Sequence, residues 1–269
     1  MAVPDLSDRS LAELLSLRGR RAVVTGGARG LGRAIARRLA EAGASVLIGD
    51  VDGDGAAGAA AEVAVAYTAT AVGRELDVSD TASIVATADA AVAELGGIDI
   101  WVNNAGIYPS RRVLNMSDDD FDRVLDVNLR GTFVGAREAA RRMVDAGHGG
   151  VIVNLSSRAG VRGSGPGIPH YVASKFGIRG LTEQLALEFA EHGIRVLAVA
   201  PTRIRTPGVE SAMAGRATTE VDRQRTVEVP LGRMGEPDDV ARVVLFCASD
   251  LSLFMTGSTL LVDAGELAR

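Results

Sequence analysis

The stretch RAVVTGGARGLG, residues 21–32, joins a short apolar run to a glycine-rich turn. Apolar residues then recur at helical spacing from Leu31 to Ala42, so the pattern predicts a buried strand, a tight turn and a helix. Glycines let the backbone turn sharply and approach a phosphate, and the start of a helix offers unpaired N–H groups and a positive dipole. The stretch predicts a phosphate-binding turn, and a tight connection without a ligand is the alternative.

The same alternation of strand and helix continues along the chain. An alanine-rich segment, Gly53 to Ala66, predicts a small-faced helix packed near the sheet. Repeated strand–helix units predict an α/β fold with a parallel sheet that is covered on both faces. The strand-like runs lie at residues 21–25, 45–49, 72–76, 98–102, 151–155, 195–200 and 259–262.

The domain organisation follows from this pattern. We expect an N-terminal extension over residues 1–18 and a single domain over residues 19–269. The least regular stretch, residues 202–235, predicts a loop that closes over a substrate and excludes water. His170, Ile168, Tyr108 and Met213 are candidates for the lining of the substrate pocket, while the arginines of this loop favour a solvated helix surface.

Composition narrows the function. The chain has 269 residues, 47% of them hydrophobic, and a net charge of −5, which is typical of a soluble globular protein. This charge argues against a nucleic acid or an anionic membrane as partner. The lone cysteine, Cys247, lies in an apolar run and predicts a small buried hydrophobe. With neither a signal sequence nor a transmembrane stretch, a cytoplasmic protein is expected.

No metal site is expected. Ser117 is followed by three aspartates, residues 118–120, which predicts a helix cap with acids in the first turn. The three histidines, His148, His170 and His192, have no ligand spacing. Neither group predicts a metal ligand set.

An acidic residue after the glycine turn bears on the choice of cofactor. Asp50 ends the second strand, about twenty residues after the glycines, where a carboxylate can accept hydrogen bonds from ribose hydroxyls. It repels a 2′-phosphate, as does Asp52, so NAD is favoured over NADP. Arg29 favours the opposite choice, because it could reach that phosphate.

One cation differs from all the others. Lysine and arginine total 29, yet Lys175 is the only lysine in the chain. Arginine stays charged and planar, whereas lysine offers a compact ammonium whose proton affinity can be tuned. The lone lysine indicates a position whose role arginine cannot fill. The alternative is a lysine that by chance was not replaced by arginine.

Six motifs in order resemble the classical short-chain dehydrogenase/reductase family over about residues 19–265. Besides the glycine turn they are Asn103-Asn104-Ala105-Gly106, Asn128, Ser156-Ser157, Tyr171-Val172-Ala173-Ser174-Lys175, and Thr206 after Pro201. The resemblance implies a Rossmann-type doubly wound sheet of about seven strands in the order 3-2-1-4-5-6-7. It also implies a homodimer or homotetramer, formed through the helices around Ser157 and the C-terminus.

The implied activity is hydride transfer between a nicotinamide cofactor and a secondary alcohol or ketone. Tyr171 and Lys175, four residues apart, project from one helix face, so the ammonium is expected to lower the pKa of the phenol. Tyr171 then serves as general acid or base. The resemblance implies that Ser157 hydrogen-bonds the substrate oxygen and that Asn128 helps to hold a water chain. It also implies that Lys175 binds the nicotinamide ribose.

The resemblance also implies which residues hold the cofactor. Asp77 and Val78 would lie beside the adenine, the backbone of residues 104–106 would flank the cofactor, and Ile204 and Thr206 would hold the carboxamide. The full predicted set is Gly26, Arg29, Gly30, Leu31, Gly32, Asp50, Asp77, Val78, Asn104, Ala105, Gly106, Tyr171, Lys175, Pro201, Ile204 and Thr206.

Two departures weaken inference about the substrate. The family usually has its serine one residue closer to the tyrosine than the fourteen that separate Ser157 from Tyr171, and Thr202 stands where glycine is typical. An NADPH-dependent reductase of 3-oxoacyl thioesters, supported by Arg29, and a non-catalytic dinucleotide-binding scaffold are the alternatives. An enoyl reductase is disfavoured, because related enzymes separate tyrosine and lysine more widely.

Overall fold

The computed structural model describes residues 3–206, 208 and 229–268. Its centre is one parallel sheet of seven strands in the order β3-β2-β1-β4-β5-β6-β7, which confirms the predicted fold class and strand order. The strands are β1 (Arg21–Thr25), β2 (Ser45–Asp50), β3 (Ala71–Glu75), β4 (Ile100–Asn103), β5 (Gly150–Leu155), β6 (Ile194–Pro201) and β7 (Thr259–Val262).

Helices cover both faces of the sheet, as a parallel sheet requires. They are α1 (Leu11–Leu15), α2 (Gly30–Glu41), α3 (Gly53–Tyr67), α4 (Thr81–Leu95), α5 (Asp118–Leu125), α6 (Gly131–Ala146), α7 (Pro169–Phe189) and α8 (Pro237–Ala248). One face packs against α2, α3 and α8, and the other against α4, α6 and α7. Within the described residues, no helix is long and apolar enough to cross a membrane.

The alanine-rich segment forms a helix, as predicted. Helix α3 buries small side chains against the sheet, and a side chain at Gly73 of β3 would collide with the backbone of Ala57. Helix and strand therefore approach closely only because both surfaces are small. Asp52 caps this helix by accepting a hydrogen bond from the Gly55 backbone N–H at 2.9 Å.

Other local predictions are also confirmed. Ser117 caps α5 in a capping box with Asp120, and Cys247 is fully buried on α8. Leu17 precedes the predicted domain boundary at residue 18, yet it is 1% exposed and belongs to the core. Its backbone N–H donates to the Ala42 carbonyl at 2.8 Å, so the end of the extension is part of the domain's packing.

An ion pair joins the amino ends of β1 and β4. The Arg21 guanidinium donates to both carboxylate oxygens of Asp99, at 2.6 and 2.8 Å, and the Arg21 backbone N–H donates to the same group at 2.7 Å. The Asp99 side chain is 8% exposed. Burial by itself would raise the pKa of Asp99, but the hydrogen bonds from Arg21 outweigh it, so the pKa lies below its usual value.

We expect Asp99→Ala to lower the free energy of unfolding by about 3 kcal/mol at pH 7, because it leaves a partly buried guanidinium without its anion. The depressed pKa means that the carboxylate contributes stability above about pH 4 and loses that contribution as the pH falls through the folded pKa. Denaturant unfolding at several pH values should therefore show the difference between wild type and variant shrinking in acid.

The control for this prediction is Glu62→Ala, which removes the surface pair of Arg33 and Glu62. It should cost less than about 1 kcal/mol. A loss of unfolding free energy in Asp99→Ala that is independent of pH, or no larger than that of the control, would contradict a stabilising role for the Arg21–Asp99 ion pair.

Candidate active site

A cleft of about 1000 Å³ opens at the carboxyl ends of the strands, beside the topological switch point between β1 and β4, where the strand order reverses. Ligands of open α/β sheets bind at this place. All of the predicted cofactor-binding residues line it: Gly26, Arg29, Gly30, Leu31, Gly32, Asp50, Asp77, Val78, Asn104, Ala105, Gly106, Tyr171, Lys175, Pro201, Ile204 and Thr206.

The glycine turn is built for close approach. Gly26 has φ +65°, and a Cβ there would lie 2.7 Å from the Cα of Ala105. A Cβ at Gly32 would collide with the Gly26 carbonyl oxygen. Helix α2 begins directly after this turn, and no side chain caps its first N–H groups within the described structure. These groups face the cleft from a helix N-terminus, which suits the pyrophosphate of a dinucleotide.

Hydrogen bonds that the sequence did not predict hold this turn against the loop after β4. The Thr25 hydroxyl accepts hydrogen bonds from the backbone N–H groups of Asn104 and Ala105, both at 3.0 Å. In return the Asn104 side-chain amide donates to the carbonyls of Thr25 at 2.8 Å and Gly26 at 2.9 Å. The place of Thr25 before the glycines was the only sequence signal for this role.

Asp50 presents a fixed carboxylate at the end of β2. It accepts hydrogen bonds from the backbone N–H groups of Ala28 at 3.0 Å and of Asp52 at 3.1 Å. The Asp52 side chain is the cap of α3 and does not line the cleft, so its expected repulsion of a 2′-phosphate is not supported by its position. Arg29 does line the cleft.

The far sides of the cleft come from two later strands. Asp77, after β3, accepts hydrogen bonds from the Ser79 backbone N–H and hydroxyl, at 2.8 and 2.7 Å. Ile204, after β6, pairs with Gly235. Most of the predicted substrate loop lies outside the described residues: residue 207 and residues 209–228, which include Met213.

Three of the residues predicted to be catalytic, Ser157, Tyr171 and Lys175, lie together at one end of the cleft. The Ser157 hydroxyl hydrogen-bonds the Tyr171 phenol, and the Lys175 Nζ lies 5.6 Å from the centroid of the Tyr171 ring. Lys175 is 5% exposed, and its Nζ donates to the Leu155 carbonyl at 2.6 Å. Ser156 instead donates from its hydroxyl to the Lys175 carbonyl at 2.9 Å, so the longer gap still brings Ser157 to the tyrosine.

Proton affinities at this end differ from the expectation. Burial lowers the pKa of Lys175 to about 8. The pKa of Tyr171 is raised, not lowered: loss of hydration is the largest effect, and the Ser157 hydrogen bond and the Arg158 charge only partly oppose it. The net shift in the protein by itself is therefore opposite to the predicted lowering, because burial penalises the phenolate more than the neighbouring groups favour it.

Asn128 lies behind the cleft rather than in its wall. It is 0% exposed, in a π-helical turn over Asp126–Arg130 between α5 and α6. Its side chain accepts from the Ile107 N–H at 2.8 Å and donates to the Ile107 carbonyl at 2.9 Å, and it also reaches the Ser174 hydroxyl at 3.2 Å. Such turns are frequent at functional sites, and this one joins the loop after β4 to α7.

Two candidates for the substrate pocket take different places. Tyr108 lines the cleft, with its ring edge-on to Tyr171 at a centroid distance of 6.2 Å. His170 is 0% exposed, and its Nδ1 accepts from the Tyr171 backbone N–H at 2.8 Å. The expectation that His170 lines the pocket is wrong, because the first turn of α7 directs its ring into the protein.

Comparisons with known proteins agree with this geometry. The family model described as enoyl-(acyl carrier protein) reductase matches residues 26–266. A 4-formylbenzenesulfonate dehydrogenase of Comamonas testosteroni is 45% identical over 247 residues, which cover 91% of this chain and 96% of that protein. A 3-oxoacyl-[acyl-carrier-protein] reductase of Aquifex aeolicus is 39% identical, with 93% of this chain and 98% of that protein covered.

A solved structure has the same fold. It is a short-chain type dehydrogenase/reductase from Mycobacterium marinum, with a TM-score of 0.90 and 36% identity over 97% of this chain and 100% of that one. Family model, relatives and structure all span nearly the whole chain. The protein therefore belongs to the short-chain dehydrogenase/reductase family and is an oxidoreductase that acts on CH–OH groups with a nicotinamide dinucleotide.

Proposed function

We propose that this enzyme interconverts a secondary alcohol and a ketone with NAD(H), and that Tyr171 is its general acid and base. The observation that carries the proposal is the Tyr171 phenol, bonded to Ser157 and next to a buried Lys175, at one end of a dinucleotide-sized cleft. When bound, the nicotinamide supplies or accepts the hydride. The residues around it bind, orient and move the proton.

The glycine turn would hold the pyrophosphate, and Asp50 the adenosine ribose. Asp77 and Val78 would flank the adenine, the backbone of residues 104–106 would lie along the cofactor, and Lys175 would grip the nicotinamide ribose. Thr206 and the Ile204 backbone would hold the carboxamide, and Pro201 would line the cofactor site beside them. Their common place in the cleft wall supports these assignments.

Tyr171 would give its proton to the ketone oxygen during reduction and take it back during oxidation. The raised pKa keeps the phenol protonated near neutral pH, which suits the reductive direction. Ser157 would hydrogen-bond the substrate oxygen and stabilise the charge that develops there. The positive charge of Lys175 and of an oxidised nicotinamide would each favour the phenolate, so oxidation should gain with rising pH.

Asn128 would support this end from behind. Its two hydrogen bonds to Ile107 fix the loop after β4, and its contact with Ser174 links that loop to α7. The water chain that resemblance assigns to Asn128 would run from Lys175 towards solvent. Burial of the asparagine beside the lysine's helix supports this role.

We expect Tyr171→Phe to reduce kcat by about 100-fold or more, because the phenol oxygen is the proton donor and acceptor. Nucleotide binding, followed by fluorescence of the reduced cofactor, should remain, since the ring is kept. Tyr67→Phe, on α3 and away from the cleft, is the matched control and should keep full activity. Wild-type turnover by Tyr171→Phe on any accepted alcohol or ketone would refute the role.

We expect Lys175→Arg to lower kcat/KM by about 100-fold, because a planar guanidinium cannot occupy the buried space of a compact ammonium. The measurements are steady-state kinetics and a nucleotide titration, and we expect nucleotide binding to weaken as well. Arg74→Lys, at a surface ion pair, is the reciprocal control and should leave kcat/KM and nucleotide binding unchanged. Full activity of Lys175→Arg would show that the lone lysine carries no special chemistry.

Cofactor choice depends on Asp50. Its fixed carboxylate supports NAD, because it can accept from ribose hydroxyls and repels a 2′-phosphate. We expect Asp50→Asn to weaken NADH binding about 10-fold and to shift preference towards NADPH. Asp52→Asn, which keeps a good helix cap, should shift it little. Tighter binding of NADPH than NADH by the wild type would overturn the NAD assignment.

A second candidate is an NADPH-dependent reductase of 3-oxoacyl thioesters. The Aquifex aeolicus relative carries that activity in its name, and Arg29 lies in the cleft where it could meet a 2′-phosphate. Absorbance assays of 3-oxoacyl thioesters with NADPH, beside secondary alcohols with NAD, would separate the two. The four-residue spacing of Tyr171 and Lys175 disfavours enoyl reduction, despite the description of the family model.

We also propose that the enzyme is a homodimer or homotetramer. Exposed aromatic side chains support this: Phe133 on α6 is 41% exposed, Phe176 on α7 is 43% exposed and Phe254, before β7, is 93% exposed. They lie on the helices before and after Ser157 and near the C-terminal strand. Light scattering of the purified protein would measure the assembly.

A further inference from the structure

A polar cluster that the proposed mechanism does not use lies beside Ser157. One carboxylate oxygen of Glu266, near the C-terminus, forms an ion pair with the Arg158 Nε at 3.1 Å. Its other oxygen accepts a hydrogen bond from the Thr202 hydroxyl. The three residues come from the segments after β5, β6 and β7, so the cluster ties together three neighbouring strand ends.

The cluster is partly shielded from solvent. The Arg158 side chain is 18% exposed and that of Glu266 is 24% exposed. Exposed surface pairs contribute little because water screens them, whereas charges that are partly buried act on their surroundings more strongly. Arg158 is further held by a hydrogen bond from its guanidinium to the Ser164 hydroxyl at 2.9 Å.

Arg158 is the residue next to Ser157 and begins the short helical turn Arg158–Gly160. The Ser157 hydroxyl accepts from the Ala159 N–H at 3.1 Å, so the same turn orients the serine that contacts Tyr171. The guanidinium charge favours the phenolate and lowers the pKa of Tyr171 against the larger effect of burial. The cation is therefore within electrostatic reach of the proposed proton donor.

Thr202 makes the cluster possible at this position. It stands where the family typically has glycine, which could not donate a side-chain hydrogen bond to Glu266. The substitution that stands in the sequence as an isolated departure thus supplies one of the two side-chain contacts that the Glu266 carboxylate makes in the cluster.

We propose that Glu266 is a positioning residue, which holds Arg158 beside the Ser157–Tyr171 pair and balances its charge there. The inference rests on the proposed function of Tyr171. Arg158 is one of the cations that favour proton loss from the phenol, and Glu266 sets how much of the Arg158 charge the phenol senses. Thr202 fixes the carboxylate in place.

Among the described residues, the other titratable groups that face Tyr171 come from three places. Lys175 lies on the same helix, His170 precedes Tyr171 on it, and Tyr108 approaches from the loop after β4. None of them contacts Glu266 in the described structure. Changing Glu266 or Arg158 therefore alters the charge at Tyr171 without touching these groups.

The test compares two variants that should shift the ionisation of the Tyr171 phenol in opposite directions. With Glu266→Gln, Arg158 loses its counter-charge and the phenol should ionise at a lower pH, whereas with Arg158→Met it should ionise at a higher pH. Each displacement should be on the order of half a pH unit. The readout is tyrosinate ultraviolet absorbance with saturating NAD, taken as the difference from the same variant carrying Tyr171→Phe, so that only Tyr171 is followed.

Conservative and double variants separate charge from shape. Glu266→Asp should keep the wild-type midpoint, and Arg158→Met combined with Glu266→Gln should return close to it. Glu94→Gln, at the surface pair of Arg74 and Glu94, is the matched control and should leave the midpoint unchanged. Circular dichroism at each pH confirms that the fold is intact.

Shifts in the same direction, or no shift in either single variant, would overturn the proposal, even if activity falls. The pH profile of kcat/KM for alcohol oxidation should move with the absorbance midpoint. If Tyr171→Phe stays active, the proposed function fails instead. The absorbance titration does not depend on turnover, so the two failures are distinguishable.

Discussion

Four hydrogen bonds hold the glycine turn after β1 against the loop after β4, all of them between Thr25 or Gly26 and Asn104 or Ala105. The two segments can come this close because Gly26 and Gly32 lack a Cβ. Their junction is the switch point of the sheet, where neighbouring strands lead to helices on opposite faces. The cleft exists because these loops diverge from that point, and the other site residues are arranged around it.

The end of the cleft that Tyr171 and Lys175 line depends on a second set of buried contacts. The Asn103 amide donates to Asn154 at 2.9 Å, and the Asn154 amide donates to the Thr182 hydroxyl at 3.0 Å. The chain of bonds runs from β4 through β5 to α7, the helix that carries Tyr171 and Lys175. Since each of these amides is buried and paired, sliding α7 along the sheet would leave polar groups without partners. The network therefore fixes Tyr171 and Lys175 relative to the cleft.

Electrostatics at this end is a balance between burial and charge. Burial favours neutral lysine and neutral tyrosine, so it lowers the pKa of one and raises that of the other. A phenol that keeps its proton suits donation, and nearby positive charge reduces the cost of losing it. Ser157 and Arg158 act on the same phenol, and an oxidised nicotinamide would add to their effect, so the proton affinity of Tyr171 depends on its surroundings.

The sequence by itself determined whatever depends on neighbouring residues. Short apolar runs predicted each strand, the glycine spacing predicted the turn, and four-residue spacing placed Tyr171 and Lys175 on one helix face. The order of motifs led to the family and, through it, to the strand order. These features were accessible because backbone geometry and helix periodicity are local properties.

Tertiary structure alone decided the quantities that depend on surroundings. The direction of the Tyr171 pKa shift follows from burial, which no spacing reveals, and Asp52 proved to be a helix cap rather than part of the cleft. The sequence flagged Thr202 but could not supply its partner, because Arg158, Thr202 and Glu266 lie far apart along the chain. They meet only because parallel strands bring their carboxyl ends to one edge of the sheet.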